Sequence, residues 1–412
     1  MDIFDRIQQH NGPIGRFQSE IEGEFAFPKF KGKISNRIVF DNKELICWSY
    51  NNYLGLAGSD EINEIDAFAQ KEWGMTYPMG SRMMTGDTAL HDQFENHIAA
   101  FINMEKALLL NFGYQGMISV IDSLLSPNDV VISDAQCHAC IIDGIRLHRG
   151  EKLIYEHNNI ENLEQKLRIA EEIVKKTEGG ILVITEGVFS MSGEQGKLKG
   201  ICALKSKYNF RFLVDDAHGF GVMGPHGNGT VCAEGLEEKV DLYFTTFTKS
   251  MASFGAIIAG KKEIVNYFKY NLRSQIFSKS LPMPVVYGLN KRLEIIKNAT
   301  NNRAKLFQIT TILQEGLRKR KLLSNKVNTY ITPVYFTIKL EDILAILHEL
   351  IYIRGVYCSI VTYPVVPKGV VIFRLTPTSL HTIEDVHRTL EAFDVVFEKY
   401  IKNYSSFSVH TI

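Results

Sequence analysis

The sequence predicts an α/β fold: a mainly parallel sheet covered by helices on both faces, followed by a smaller α+β domain. Three observations predict it. From about residue 105 to residue 260, apolar runs of strand length alternate with amphipathic helical patterns. Those runs are continuously apolar, as strands buried on both faces must be. After Pro282-Met283-Pro284 the texture changes to long helical patterns with a few separate strands.

At 412 residues the chain buries a large core and divides into two or more domains. Apolar content of 45% and charged content of 22% are ordinary for a soluble globular protein. The formal net charge of zero argues against a general attraction to nucleic acid or anionic membrane. The start, M-D-I-F-D-R-I-Q-Q-H, carries acids and no apolar core, unlike a secretory signal. No apolar run approaches the ~18 to 20 residues of a membrane helix. A soluble, cytoplasmic protein with no nucleic-acid partner and no membrane span is expected. Cys47, Cys137, Cys140, Cys202, Cys232 and Cys358 read as reduced thiols rather than a disulfide scaffold.

Residues 1–48 read as an N-terminal arm, interrupted by Gly12-Pro13, Gly23, Pro28 and Gly32. Residues 49–284 read as the large domain. It opens on the loop N-N-Y-L-G-L at 51–56. Strands are expected at 107–111, 129–133, 153–155, 180–185, 210–214, 242–247 and 254–259. Helices are expected at 114–125, 137–149, 161–176 and 198–208. Residues 285–412, with the arm, read as the small domain. It holds a long helix at about 285–318, strands at 327–338, 356–362 and 370–375, and helices at 340–354 and 382–399.

In such sheets ligands sit beyond the carboxyl ends of the strands. That places Asn111-Phe112-Gly113-Tyr114 and the segments 134–138, 186–190, 215–218 and 246–249 along one rim. Lys249 stands there between two buried segments. Lost solvation favours its neutral amine and raises its nucleophilicity, which suits Schiff-base chemistry. A lysine snorkelling from an ordinary turn is the plain alternative.

Two motifs do not carry function. Gly219-Phe220-Gly221-Val222-Met223-Gly224 matches G-x-G-x-x-G, yet Pro225, Gly227 and Gly229 prevent the helix that a dinucleotide site needs. It reads as a mobile loop. Cys137-His138-Ala139-Cys140 is a C-x-x-C without a second pair for zinc or a compact redox domain around it. Asp215-Asp216-Ala217-His218 ends a buried strand and allows a metal site, a satisfied core pair, or a cofactor partner. In the last reading a carboxylate holds a proton on a pyridine nitrogen and a histidine lies near the phenolic oxygen, as pyridoxal phosphate requires. Lys249 would form the imine. Gly113, Tyr114, Thr246 and Thr248 would hold the phosphate, and His138 would cover the ring.

On these residues the chain resembles the α-oxoamine synthases, the pyridoxal-phosphate acyltransferases of aminotransferase fold type I. The likeness runs from about Ser49 to Phe393. It rests on N-N-Y-L-G-L at 51–56, Gly80-Ser81-Arg82 with Gly86 and His91, Phe112-Gly113-Tyr114-Gln115, and His138-Ala139 with Asp143-Gly144. It continues through T-E-G-V-F-S-M at 185–191, residues 214–218, T-F-T-K-S at 246–250 and Phe373-Arg374-Leu375. Thr246-Phe247-Thr248-Lys249-Ser250-Met251-Ala252-Ser253 is most similar to the serine palmitoyltransferase form. Cys140 stands where the family usually has serine.

The resemblance implies a seven-stranded sheet and a homodimer with the active site at its interface. It implies a Schiff base of pyridoxal phosphate to Lys249, with Lys249, His138 and Asp215 as catalytic residues. Asp215 would pair with the ring nitrogen, and His218 and Ser190 with the phenolic oxygen. Gly113, Tyr114, Thr246 and Thr248 would line the phosphate side, and Ser278 would reach the phosphate of the other subunit. Asn51 and Arg374 would meet the substrate carboxylate. The implied reaction condenses an amino acid, serine first, with an acyl-CoA, releasing CoA and CO2. The alternatives are an 8-amino-7-oxononanoate synthase or other pairing, a fold type I aminotransferase, and an idle regulatory subunit.

Overall fold

Apolar runs between turn residues form the strands. The computed structural model describes residues 2–9, 15, 18–23, 25–337, 340–363, 366 and 369–401. Gly12 and Pro13 lie outside them, as does Ile338 at the end of an expected strand. In chain order the strands are β1 (Arg37–Phe40), β2 (Lys43–Cys47), β3 (Lys106–Leu110), β4 (Val130–Asp134), β5 (Glu151–Tyr155), β6 (Ile181–Glu186) and β7 (Arg211–Asp215). They continue with β8 (Leu242–Thr246), β9 (Ala256–Gly260), β10 (Thr332–Thr337), β11 (Val356–Tyr357), β12 (Ser359–Val361) and β13 (Val370–Leu375).

The chain forms two compact units. The larger comprises Ser59–Ser190 and Glu194–Arg303; the smaller comprises Met1–Gly58, Met191–Gly193 and Ala304–Ile412. The larger unit holds a seven-stranded sheet in the order β3-β9-β8-β7-β6-β4-β5. Strands β8, β7, β6, β4 and β5 run parallel, and β9 alone runs antiparallel to its neighbours β3 and β8. β4, β6, β8 and β9 are buried at every position, as their unbroken apolar runs require. Leu108, Ile184, Leu213, Phe244 and Ile258 of the sheet share one core with Met117, Val120 and Phe268 of the covering helices. Each such side chain contributes roughly 1.5–3 kcal/mol by leaving water.

The smaller unit holds two sheets, β1-β2-β11 and β10-β13-β12. Trp48 stacks on His381 at 3.9 Å in its core, and the indole nitrogen donates to Thr389 at 2.9 Å.

Three elements differ from expectation. The arm contains the hairpin β1–β2, whose Asp41 and Asn42 both have positive φ (48° and 58°), as a two-residue primed turn demands. The strand expected at 356–362 is two: β11 pairs parallel with β2, while β12 pairs antiparallel with β13, so Cys358 marks a change of sheet. The long helix expected at 285–318 breaks at Ala299 into Met283–Asn298 and Thr300–Lys319. Nη1 of Arg303 donates to the Ile296 carbonyl at 2.7 Å and so caps the first of these helices. No helix among the described residues is long and apolar enough to cross a membrane.

Candidate active site

The parallel strands end on one rim of the larger unit, and the polar residues gather there. Three residues after β3, the helix Gly113–Leu124 begins with Phe112 as its N-cap, which offers no side-chain acceptor to the first amides. A Cβ on Gly113 would lie 2.9 Å from Oγ1 of Thr246, so only glycine lets this helix end approach β8 so closely. Oγ1 of Thr246 donates to the Gly255 carbonyl at 3.1 Å and lies 3.2 Å from Oγ1 of Thr248. Helix amides and the exposed Thr248 hydroxyl thus stand at the positive end of a helix dipole, which suits a phosphate dianion, while Thr246 holds the strand end against the helix. Tyr114 is exposed there and donates its hydroxyl to Asp143.

Lys249 sits half-buried in a closed turn. The Phe247 amide donates to the Gly255 carbonyl (2.9 Å), the Ser253 amide to that of Phe247 (3.0 Å), and the Ala252 amide to that of Lys249 (2.9 Å). Phe247 and Met251 anchor the turn in the core. The glycine loop 219–229 supports it from below. Gly221, at φ +83°, comes so near that a Cβ would lie 2.4 Å from Cβ of Ser250, whose hydroxyl donates to the Phe220 carbonyl at 2.8 Å. The expected mobile loop is therefore a packed buttress, with residues 219–222 buried. Its other fixed point is Asp216. That fully buried carboxylate accepts the Thr230 amide (2.8 Å), the Thr230 hydroxyl (2.6 Å) and the Tyr243 hydroxyl (2.8 Å).

Asp215, one residue earlier, turns to the rim. It is buried, and its Oδ1 accepts the Ala217 amide at 3.0 Å. Burial raises its pKa, while the nearby Lys249 and His138 pull it back. Glu186 lies directly across in the β6–β7 register, and its Oε1 accepts the His138 amide at 2.6 Å. Burial and the charge of Asp215 push this carboxyl well above its ordinary range. The sequence places Glu186 on the rim without a role; the signal for one is its position at the end of a buried strand.

His138 caps the helix Ala139–Leu147. Its Nδ1 accepts the Cys140 amide at 3.2 Å and faces Sγ of Cys140 at 3.0 Å. Tyr114 meets the ring edge-on at 6.1 Å. Loss of hydration lowers the pKa of His138, against the pull of Asp215. Cys137 and Cys140 are buried, and burial pushes both thiols up, away from the reactive thiolate.

Electrostatic proximity links Lys249, Asp215, Glu186 and His138, and the glycine contact joins Gly113 to Thr246. Ser190 and His218 are buried at the starts of the loops after β6 and β7. Ser278 is half-buried in the segment before helix Met283–Asn298, which the Ser280 amide ties to the Gly80 carbonyl at 2.9 Å. In the smaller unit, Nη2 of buried Arg374 on β13 donates to Oδ1 of Asn51 at 3.2 Å. The Tyr53 hydroxyl donates to the same oxygen, also at 3.2 Å. Arg82 of the Gly80-Ser81-Arg82 motif is buried between Glu95 and Asp87, so its charge is already matched inside the fold.

A family model described as aminotransferase class I and II matches residues 43–393. The chain is 48% identical to a cysteate-C-fatty acyltransferase of Capnocytophaga ochracea, over 97% of this chain and 95% of that one. It is 33% identical to an 8-amino-7-oxononanoate synthase of Thermosipho melanesiensis, over 88% and 90%. Among solved structures, a serine palmitoyltransferase of Sphingomonas wittichii superposes with a TM-score of 0.88 at 26% identity, covering 97% of this chain and 98% of that one. A serine palmitoyltransferase holding a pyridoxal-phosphate internal aldimine superposes equally well, with a TM-score of 0.88 at 26% identity, covering 97% and 99%. The donor set described above fits such a group. It offers a helix end open to a phosphate, an amine for an aldehyde carbon, and a buried carboxylate for a pyridinium nitrogen.

Proposed function

The chain belongs to the aminotransferase class I and II family and, within it, to the α-oxoamine synthases; from that premise we propose that it joins a fatty acyl thioester to the α-carbon of an amino acid, releasing CoA and CO2. Its amino acid, in this reading, is cysteate. The observation that carries the choice is the 48% identity, over nearly the whole chain, to a protein named for that activity. Serine is the second reading, favoured by the segment T-F-T-K-S-M-A-S around Lys249 and by relatives named serine palmitoyltransferase at 30% identity.

Pyridoxal phosphate, when bound, supplies an electron sink for charge developing at the α-carbon. In the proposed assignment Lys249 would hold its aldehyde carbon, and Lys249 Nζ would be the group that moves the α-proton. Asp215 would keep the ring nitrogen protonated. Ser190 and His218 would meet the phenolic oxygen. Gly113, Tyr114, Thr246 and Thr248 would hold the phosphate, with Ser278 contributed to the site of the other subunit. His138 would cover the ring and help seat the substrate. Arg374, with Asn51, offers the carboxylate a bidentate fork.

The proposed assembly is a cytoplasmic homodimer. Supporting it, Met84 and Tyr270 are exposed (79% and 68%) beside one cavity of about 310 Å³, and Phe277, next to Ser278, is 74% exposed. Sedimentation at equilibrium tests this part, and a monomer at micromolar concentration refutes it.

CoA release from palmitoyl-CoA, followed with a thiol reagent in the presence of cysteate, serine, alanine or glycine, tests the reaction. Turnover with cysteate at least tenfold above serine supports the first reading, and the reverse supports the second. Amino-group transfer without CoA release refutes both. Lys249→Ala is the control without activity.

A further inference from the structure

We propose that Cys140 is a positioning residue for His138: its amide and thiol both donate to Nδ1, so that the ring faces the site as the Nε2–H tautomer, a neutral hydrogen-bond donor. The proposal rests on the reading of His138 as the residue that covers the cofactor ring and seats the substrate.

Three observations lead to it. The Cys140 amide donates to Nδ1 of His138 at 3.2 Å, which requires an unprotonated Nδ1. In a neutral imidazole the proton then sits on Nε2. Sγ of Cys140 stands 3.0 Å from the same nitrogen. Cys140 is buried, and burial together with the nearby Asp215 and Glu186 keeps its sulfur protonated, so it meets Nδ1 as S–H. Finally, the His138 amide is tied to Glu186 at 2.6 Å, so the backbone cannot swing to relieve a wrong tautomer.

Protonating Nδ1 would set an N–H against the fixed Cys140 amide and undo the helix cap. The positive end of the helix Ala139–Leu147 opposes an imidazolium as well. The charged and titratable groups facing the ring are Glu186 from β6, Asp215 from β7, Lys249 from the turn after β8 and Tyr114 from the helix Gly113–Leu124. Asp215 alone favours the charged ring. The Cys140 amide on Nδ1 opposes it directly, and the S–H favours the neutral ring. A donor at Nε2 matches an amino acid that brings a carboxylate and, in the cysteate reading, a sulfonate.

The test uses the holoenzyme labelled with ¹³C in its histidine rings, the His138→Asn variant assigning the signal. The ring's tautomer and proton affinity are read by NMR across pH in wild type, Cys140→Ser and Cys140→Ala. Wild type and Cys140→Ser are expected to show the Nε2–H tautomer. Cys140→Ala is expected to bind the proton about 2- to 10-fold more tightly, the effect of removing one donor from the neutral form. KM for the amino acid should rise by a similar factor in Cys140→Ala and return in Cys140→Ser. Equal proton affinity in all three proteins overturns the proposal, as does an Nδ1–H tautomer in wild type. Absence of acyl transfer with the expected NMR result removes the proposed reaction and leaves the positioning role intact.

Discussion

Gly113→Ala isolates the cradle assigned to the cofactor phosphate. The new methyl would lie 2.9 Å from Oγ1 and 3.0 Å from Cβ of Thr246. Thr246 cannot turn away. It is β-branched, ends a fully buried strand, and its hydroxyl is committed to the Gly255 carbonyl. The helix start must therefore move by a few tenths of an ångström, carrying its amides off the phosphate position. Helix propensity favours alanine over glycine by up to about 1 kcal/mol. Overpacking costs about 1–3 kcal/mol and offsets or exceeds that gain. The apo protein should thus lose no more than about 2 kcal/mol of stability. Affinity for pyridoxal phosphate should fall about 5- to 150-fold, because the cost falls on the phosphate donors. Titration of apo protein with cofactor, followed by absorbance, measures this. Thr246→Ala removes the nearer contact, so the penalty of Gly113→Ala should shrink in the double variant. A Gly113→Ala protein that binds cofactor within twofold of wild type would refute the reasoning.

Further outcomes are expected. Lys249→Ala should lose borohydride-trapped cofactor, read by intact mass, together with about 10²- to 10⁴-fold in kcat. Asp216→Ala leaves three buried donors on Thr230 and Tyr243 without an acceptor. At about 1–3 kcal/mol each, it should unfold in urea at least 3 kcal/mol more easily, and an unchanged midpoint would contradict the buttress. His91 and His381 are both lowered by burial from 6.5 to about 4. A histidine lowered on folding contributes stability that is complete above about 6.5 and lost as pH falls toward 4. The free energy of unfolding, read from urea titrations, should therefore drop over that window by up to about 1.4 kcal/mol per pH unit per histidine. His91→Gln should flatten the slope, and an identical slope in the variant would count against it.

Much of this architecture is present in the residues before any folding. Runs such as I-L-V-I-T-E and A-I-I-A-G have no polar alternation to hide, so they can only be strands buried on both faces, and the helices between them show their own period. Because parallel strands share a direction, the polar residues ending each run had to meet on one rim, which made Lys249, Asp215, His138 and Gly113 legible as a group. Tertiary structure alone decided matters of direction and partner. Asp215 and Asp216 are adjacent in sequence, and the β7 terminus sends one to the rim and the other under the glycine loop. That loop became a support for the lysine turn because Ser250, 30 residues further on, packs against Phe220 and Gly221. Residues 356–361 divided between two sheets for the same reason, since strand pairing belongs to the partner as much as to the segment. Glu186 acquired its raised pKa from burial and from Asp215 on the neighbouring strand. Charge and hydrogen bonding depend on distance in space, which spacing along the chain does not specify.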